Sequence, residues 1–169
     1  MAAPSSLATP ELWNSLNWQT VDLVPHTAST KPIVALRCPQ DAGLYRITLI
    51  DSKWWALASS DVPIKASKKI ADGRLESAFW NVPVVLTIGR TTSLKGRLEQ
   101  HFGTNDKNNR VMKRLSAAFP QLTENQIRES AVSGLLVEVC RIEDWTSRFL
   151  LERYGCSLLK PFLDFEAEH

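Results

Sequence analysis

The sequence predicts an α/β (α+β) domain, a small and mostly antiparallel central sheet flanked by helices. Two observations carry this. Apolar, β-branched runs at 44–50, 82–88 and 135–142 read as strands, while 94–102, 111–119 and 143–154 carry helical spacing. The resulting order is a β-hairpin, a strand, three helices, a strand and a helix. It closes most simply as a small, mostly antiparallel sheet covered by helices. The 169 residues suit a single domain, 1–169, with a sizeable core.

Each element has a local reason. Thr9-Pro10-Glu11 opens a short helix: a capping hydroxyl, a proline at the first helical position and an acid at the positive end of the dipole. Leu12, Trp13 and Leu16 form its apolar stripe. Residues 19–32, with Pro25 and Pro32, read as an irregular connector. Ile33 to Arg37 reads as an edge strand, and 39–43 as a turn. The run from Leu44 to Ile50 is a strand, and 53–57 its hairpin partner. Residues 61–77 are polar and basic, with a helical excursion around 64–70. The most apolar stretch, 82–88, reads as a central strand entered at Pro83. Arg90 to Ser93 is a turn, and 94–102 a helix capped by Thr92 or Ser93. Asn108 caps a second helix, and Thr123-x-x-Gln126 is a capping-box pattern for a third. Residues 135–142 are a strand, and 143–154 a helix closed by Gly155.

Composition excludes several classes. No apolar run approaches the roughly 18 residues of a membrane span. Residues 1–10 contain no Lys or Arg, which fits neither a secretory nor a transit peptide, so a cytoplasmic protein is expected. Cys38, Cys140 and Cys156 are odd in number and lack Cys-x-x-Cys spacing, which argues against a disulfide framework or a zinc site. The formal net charge of +2 hides an asymmetry. Residues 62–119 hold eleven basic and four acidic side chains, and residues 120–169 five basic and nine acidic. The basic block, including Lys68, Lys69, Lys95, Arg110, Lys113 and Arg114, suits a polyanion. A solvated helix face would give the same composition.

Two strings carry more specific information. One is Gly43-Leu44-Tyr45. The other is Thr87-Ile88-Gly89-Arg90-Thr91-Thr92-Ser93-Leu94, continuing through Arg97 to His101. Together they resemble the core of the GIY-YIG nucleases. In that family one strand bears Gly-Ile-Tyr, a second bears Tyr-Ile-Gly, and a following helix bears Arg and His four residues apart. A downstream segment, Glu152 followed by Pro161-x-x-Asp164, is similar to the family's Glu and Pro-x-x-Asn. The chain departs from the pattern at Thr87, where the second Tyr would stand, and at Asp164. The resemblance covers residues 43–164. It leaves 1–37 as an N-terminal extension and 51–80 as an insertion between the two motifs.

The resemblance implies a metal-dependent endonuclease that hydrolyses DNA phosphodiesters, with RNA as an alternative substrate. Tyr45 would orient or deprotonate the attacking water. A phenol titrates near 10, so neighbouring cations must lower that value for it to act as a base. Arg97 would hold the phosphate through its planar fork. His101, four residues on and thus on the same helix face, would assist Tyr45 or a phosphate oxygen. Glu152 would hold Mg²⁺ or Mn²⁺, which take one carboxylate together with waters and substrate oxygens. Arg90 would add positive charge near Thr87 and, with the basic block, contact the nucleic acid. Read without the family, Tyr45 is a packing residue on a strand and Glu152 a surface residue paired with Arg148. Trp54-Trp55 is an adjacent pair that a strand would send to opposite faces. With no separate specificity domain, target choice would come from the extra segments or from a homodimer. The competing expectation is a catalytically impaired module that binds nucleic acid or a protein partner on the same basic face.

Overall fold

The computed structural model describes residues 10–25, 33–51, 83–102, 110–118, 122–159 and 161. Among these residues five strands form one sheet in the order β2-β1-β5-β3-β4, with every pairing antiparallel. They are β1 (Gln19–Pro25), β2 (Ile33–Leu36), β3 (Gly43–Leu49), β4 (Val84–Thr91) and β5 (Leu135–Arg141). The α+β class read from the sequence is therefore the observed one. Strand β3 is the hub: Gly43 lies between Thr91 and Arg141, and Leu49 between Val84 and Leu135.

Helices cover both faces of the sheet. On one lie α2 (Leu94–Phe102), α3 (Arg110–Ala118) and α4 (Glu124–Gly134). Leu94, Leu98, Phe102, Val111, Leu115 and Ile127 from these helices pack on Val21, Leu23, Tyr45, Ile47, Val137 and Val139 from the strands. On the other lie α1 (Pro10–Asn14) and α5 (Trp145–Leu159), where Trp13 and Leu151 meet Leu44 and Ile88. Each fully buried aliphatic side chain contributes about 1.5–3 kcal/mol relative to exposure. The alternating faces of β3 thus feed two cores, which explains why its run is apolar almost throughout.

Local chemistry explains the ends. The Ser93 hydroxyl accepts from Gly96 N at 3.2 Å, which settles the α2 cap on Ser93. Both halves of the Thr123–Gln126 capping box are present at α4. The backbone N–H groups of Leu94 and Lys95 donate to Asp41 and Pro39, and that of Ile142 to Ala42. The turn before β3 is therefore tied to the start of α2 and the end of β5.

Four expectations need correction. Residues 19–25 form a strand, because Val21 and Leu23 alternate into the core and outweigh the Pro25 signal at the strand's end. The apolar strand β4 lies at the sheet edge among the described residues. Its hydrophobicity reflects helices on both faces, not strands on both sides. It also continues through Arg90 and Thr91, into the stretch 90–93 that the sequence predicts as a turn. Finally, α5 runs through Gly155 to Leu159. Gly155 serves packing: a Cβ there would come within 2.3 Å of the Trp13 indole. The expected hairpin partner at 53–57, the Trp54-Trp55 pair, the 61–77 excursion and most of the 51–80 insertion lie outside the described residues. So do Thr9, Asn108, Phe119 and Asp164.

Candidate active site

Two adjacent strands and one helix bring three of the four expected catalytic residues together. Tyr45 on β3 stands directly across from Gly89 on β4. Its ring crosses over that glycine: a Cβ at position 89 would sit 2.2 Å from the phenolic oxygen. Gly89 is therefore the residue that lets the phenol reach across β4. Gly43 has a similar steric cause, since a Cβ there would lie 2.1 Å from the carbonyl oxygen of Cys140 on the neighbouring strand. Both glycines of the motif are spacing devices between close elements.

Helix α2 supplies the other two groups. Arg97 Nε donates to the Tyr45 hydroxyl at 3.3 Å, and His101 Nε2 lies 2.9 Å from the same oxygen. The His101 and Tyr45 rings are 5.1 Å apart and tilted. Tyr45 is 2 % and His101 3 % exposed, so this pair is part of the core between sheet and helix. Arg97 is half-buried and also donates to Gln100 at 3.2 Å. His101 is buried because it points down the helix onto Tyr45, between Leu98 and Phe102. Thr87, opposite Ile47, is buried on the same face. A bulge helps to set this geometry. Ile47 faces Thr87 but Thr48 faces Val85, so Leu86 is an extra residue on β4.

Glu152 arrives from the other face. It lies on α5, and its Oε1 accepts from the backbone N–H of Arg90 at 3.1 Å. Its Oε2 is bonded to the Arg90 guanidinium. The carboxylate thus sits beside Arg90, one residue along the strand from the glycine crossed by Tyr45. Bond geometry then keeps the Tyr45 hydroxyl and the Glu152 carboxylate within about 9 Å of each other. The two groups meet from opposite faces at the outer strand of the sheet.

Arg90 is the largest departure from expectation. It points toward α5 and pairs with Glu152, away from the basic side chains of α2 and α3. Its guanidinium rests 4.9 Å from the Phe149 ring, and Phe149 stacks on exposed Trp145 with centroids 5.5 Å apart. The expected Arg148–Glu152 pair is replaced by this contact. Arg148 is buried and donates to the carbonyls of Ile142 and Glu143, closing the β5–α5 turn. Of the remaining basic residues, Lys95 lies on the first turn of α2, and Lys113 is exposed on α3. Arg110 and Arg114 also belong to α3. Lys68 and Lys69 lie outside the described residues.

One ion pair escaped the sequence reading. Arg46 on β3 makes two bonds to Glu138, directly opposite on β5, and stacks on Trp18 at 4.5 Å. The only available signal was a charged residue on each of two apolar strands; their register was not visible. Two of the three cysteines, Cys38 and Cys140, offer no nucleophile. Burial pushes the Cys38 thiol up to about 11, with Lys95 opposing and Glu99 reinforcing the shift. Burial also raises Cys140. Both therefore stay protonated at neutral pH.

A metal can be weighed against these residues. No group of three or more His, Cys, Asp or Glu side chains suited to an ion occurs among the described residues. Glu152 offers a single carboxylate whose side chain is 19 % exposed. That suits Mg²⁺ or Mn²⁺ retaining most of its waters, and does not suit an all-protein cage. No described helix is long and apolar enough to cross a membrane. Comparison of the chain with protein-family models, with curated proteins and with solved structures yields no match to any of them.

Proposed function

We propose that the protein is an endonuclease of the GIY-YIG type, hydrolysing DNA phosphodiesters at the outer strand of its sheet. The observation that carries this reading is the convergence of Arg97 and His101 on the Tyr45 hydroxyl across Gly89. The motif residues, far apart in sequence, meet around one oxygen. Arg97 can only donate to that oxygen. The phenolic hydroxyl can in turn donate to a neutral His101 Nε2 or to an incoming water. Arg97 and His101 thus place one cationic donor and one ring nitrogen at the hydroxyl, where a proton can be passed on. Tyr45 would then orient and deprotonate the attacking water. As Arg97 turns from Gln100 toward a phosphate, it uncovers the hydroxyl and neutralises charge developing in the transition state. Glu152 would hold Mg²⁺ or Mn²⁺. Bound there, the ion would polarise a phosphate oxygen and stabilise the leaving group. Lys95 and Lys113, with the rest of the basic block, would hold the nucleic acid backbone.

The closed geometry supports a second reading, a cleavage-impaired module that binds nucleic acid or a protein partner. Tyr45 is almost wholly buried, Glu152 is held by Arg90, and Thr87 lacks the second phenol. Nicking of supercoiled plasmid in Mg²⁺ or Mn²⁺ separates the two. The nuclease reading expects metal-dependent nicking. Glu152→Ala should lose at least about 10²-fold of that activity while retaining DNA binding. Wild-type protein that binds DNA but leaves it intact with both metals would sink the nuclease reading and support the second.

A further inference from the structure

We propose that Arg90 is a latch on the metal-binding carboxylate, so that the free protein holds its divalent cation weakly. The inference rests on the nuclease reading of Glu152 and adds to it a competition between two cations. Glu152 is engaged at both oxygens by the same residue: Arg90 N–H on Oε1 and the Arg90 guanidinium on Oε2. The two bonds differ in kind. The backbone N–H belongs to the edge strand and stays put. It orients the carboxylate and leaves lone pairs available to an ion. The guanidinium is mobile in principle: its side chain is 33 % exposed, and it rests on the flat Phe149 ring. A guanidinium and a divalent cation seek the same carboxylate charge and repel one another at such range.

Release needs a competing anion. A phosphate at the outer strand would offer Arg90 the bidentate partner that guanidinium groups favour. Arg90 moving to that phosphate would free the Glu152 oxygen, which would then be available to hold the cation. Metal and substrate would therefore bind cooperatively. The coupling is reciprocal, because each stabilises the unlatched arrangement.

The test reads Mn²⁺ binding by the loss of the free-ion EPR signal on titration, first with no nucleic acid and throughout with no turnover. Wild type should bind Mn²⁺ weakly. Arg90→Gln, which keeps the backbone N–H and removes the charge, should bind about tenfold more tightly. Glu152→Gln added to Arg90→Gln should abolish that gain. Phe149→Leu guards against a folding artefact: it leaves Arg90 in place but removes its platform, and should give a smaller gain in the same direction. A 12-base-pair phosphorothioate duplex should tighten Mn²⁺ binding to wild type more than to Arg90→Gln. Equal Mn²⁺ affinity in wild type, Arg90→Gln and Phe149→Leu, with binding still lost in Glu152→Gln, would overturn the latch and leave Glu152 as the ligand. Tight binding that survives in the Arg90→Gln, Glu152→Gln double variant would remove Glu152 from the metal site, and the latch with it.

Discussion

The two faces of the sheet hold their halves of the candidate site by different forces. On the α2 face, Tyr45 and His101 are buried among Leu98, Phe102 and Ile47, and their contact is fixed by packing. On the α5 face, Glu152 and Arg90 are partly exposed and held by an ion pair over an aromatic ring. Close packing resists displacement, because moving one buried side chain opens voids or clashes around it. A half-exposed ion pair is worth little net, since solvent competes for both partners. One half of the site is therefore built in advance, and the other is free to rearrange. Removing a group from the first half should damage chemistry without altering response to metal. Changes to the second should alter metal and salt dependence first.

The largest expected effect tests the prebuilt half. Tyr45→Phe keeps the ring over Gly89 and deletes the oxygen on which Arg97 and His101 converge. Nicking should fall by about 10²–10⁴-fold, the range that a proton-transfer group contributes. Mn²⁺ affinity should stay unchanged, because Glu152 is approached from the other face. A phenylalanine variant that nicks at near wild-type rate would show that the oxygen plays no chemical part. The prebuilt half would then be mere packing.

A smaller effect tests whether the spacing across β4 is as tight as the geometry states. Gly89→Ala introduces a Cβ 2.2 Å from the phenolic oxygen and 2.4 Å from Cζ. Tyr45 must move, within a core that resists it. Urea unfolding should report a loss of roughly 1–3 kcal/mol, the usual cost of overpacking. In a Tyr45→Phe background the oxygen clash disappears while the ring clash remains. The alanine should then cost less, with a coupling of about 0.5 kcal/mol or more. Strict additivity of the two changes would mean that the phenolic oxygen and the glycine do not touch.

The same contrast explains what was legible in the sequence. Helix α2 could be read to its ends, because its apolar spacing, its serine cap and its arginine and histidine all sit within one short segment. The convergence on Tyr45 was legible only through the motif, which encodes a β3–β4 pairing that periodicity alone does not reveal. Strand β1 was hidden because its alternation is short and ends in Pro25, a local signal that pairing with β5 overrides. The edge position of β4 was hidden because burial by helices gives the same apolar run as burial by strands. Gly155 read as a helix end, since nothing local announces that Trp13 will pack against it. The Arg90–Glu152 contact joins residues 62 positions apart on different elements. No helical or strand spacing links such a pair, so it emerges only once α5 has docked on the sheet.

The smallest effect concerns how α5, the bearer of Glu152, is held at its start. Asp144 caps the helix, its Oδ2 accepting from Ser147 N at 2.6 Å. That backbone bond, followed by one from the Ser147 hydroxyl and the charge of Arg148, lowers its pKa below the ordinary 3.8. A lowered carboxylate adds stability that is complete above the ordinary value and is lost as pH falls through the lowered one. Asp144→Asn keeps a capping oxygen but has no charge to lose. Wild type should melt slightly higher than the variant at pH 7, by a few degrees at most, because the group is fully exposed. The gap should close as pH falls below about 3.8, when the aspartate takes up its proton. Thermal melts by circular dichroism between pH 2 and 7 measure this. Curves that stay parallel throughout would mean that the charge of Asp144 does not hold the helix. The half of the site that rearranges would then be anchored by Arg148 and the buried face of α5 alone.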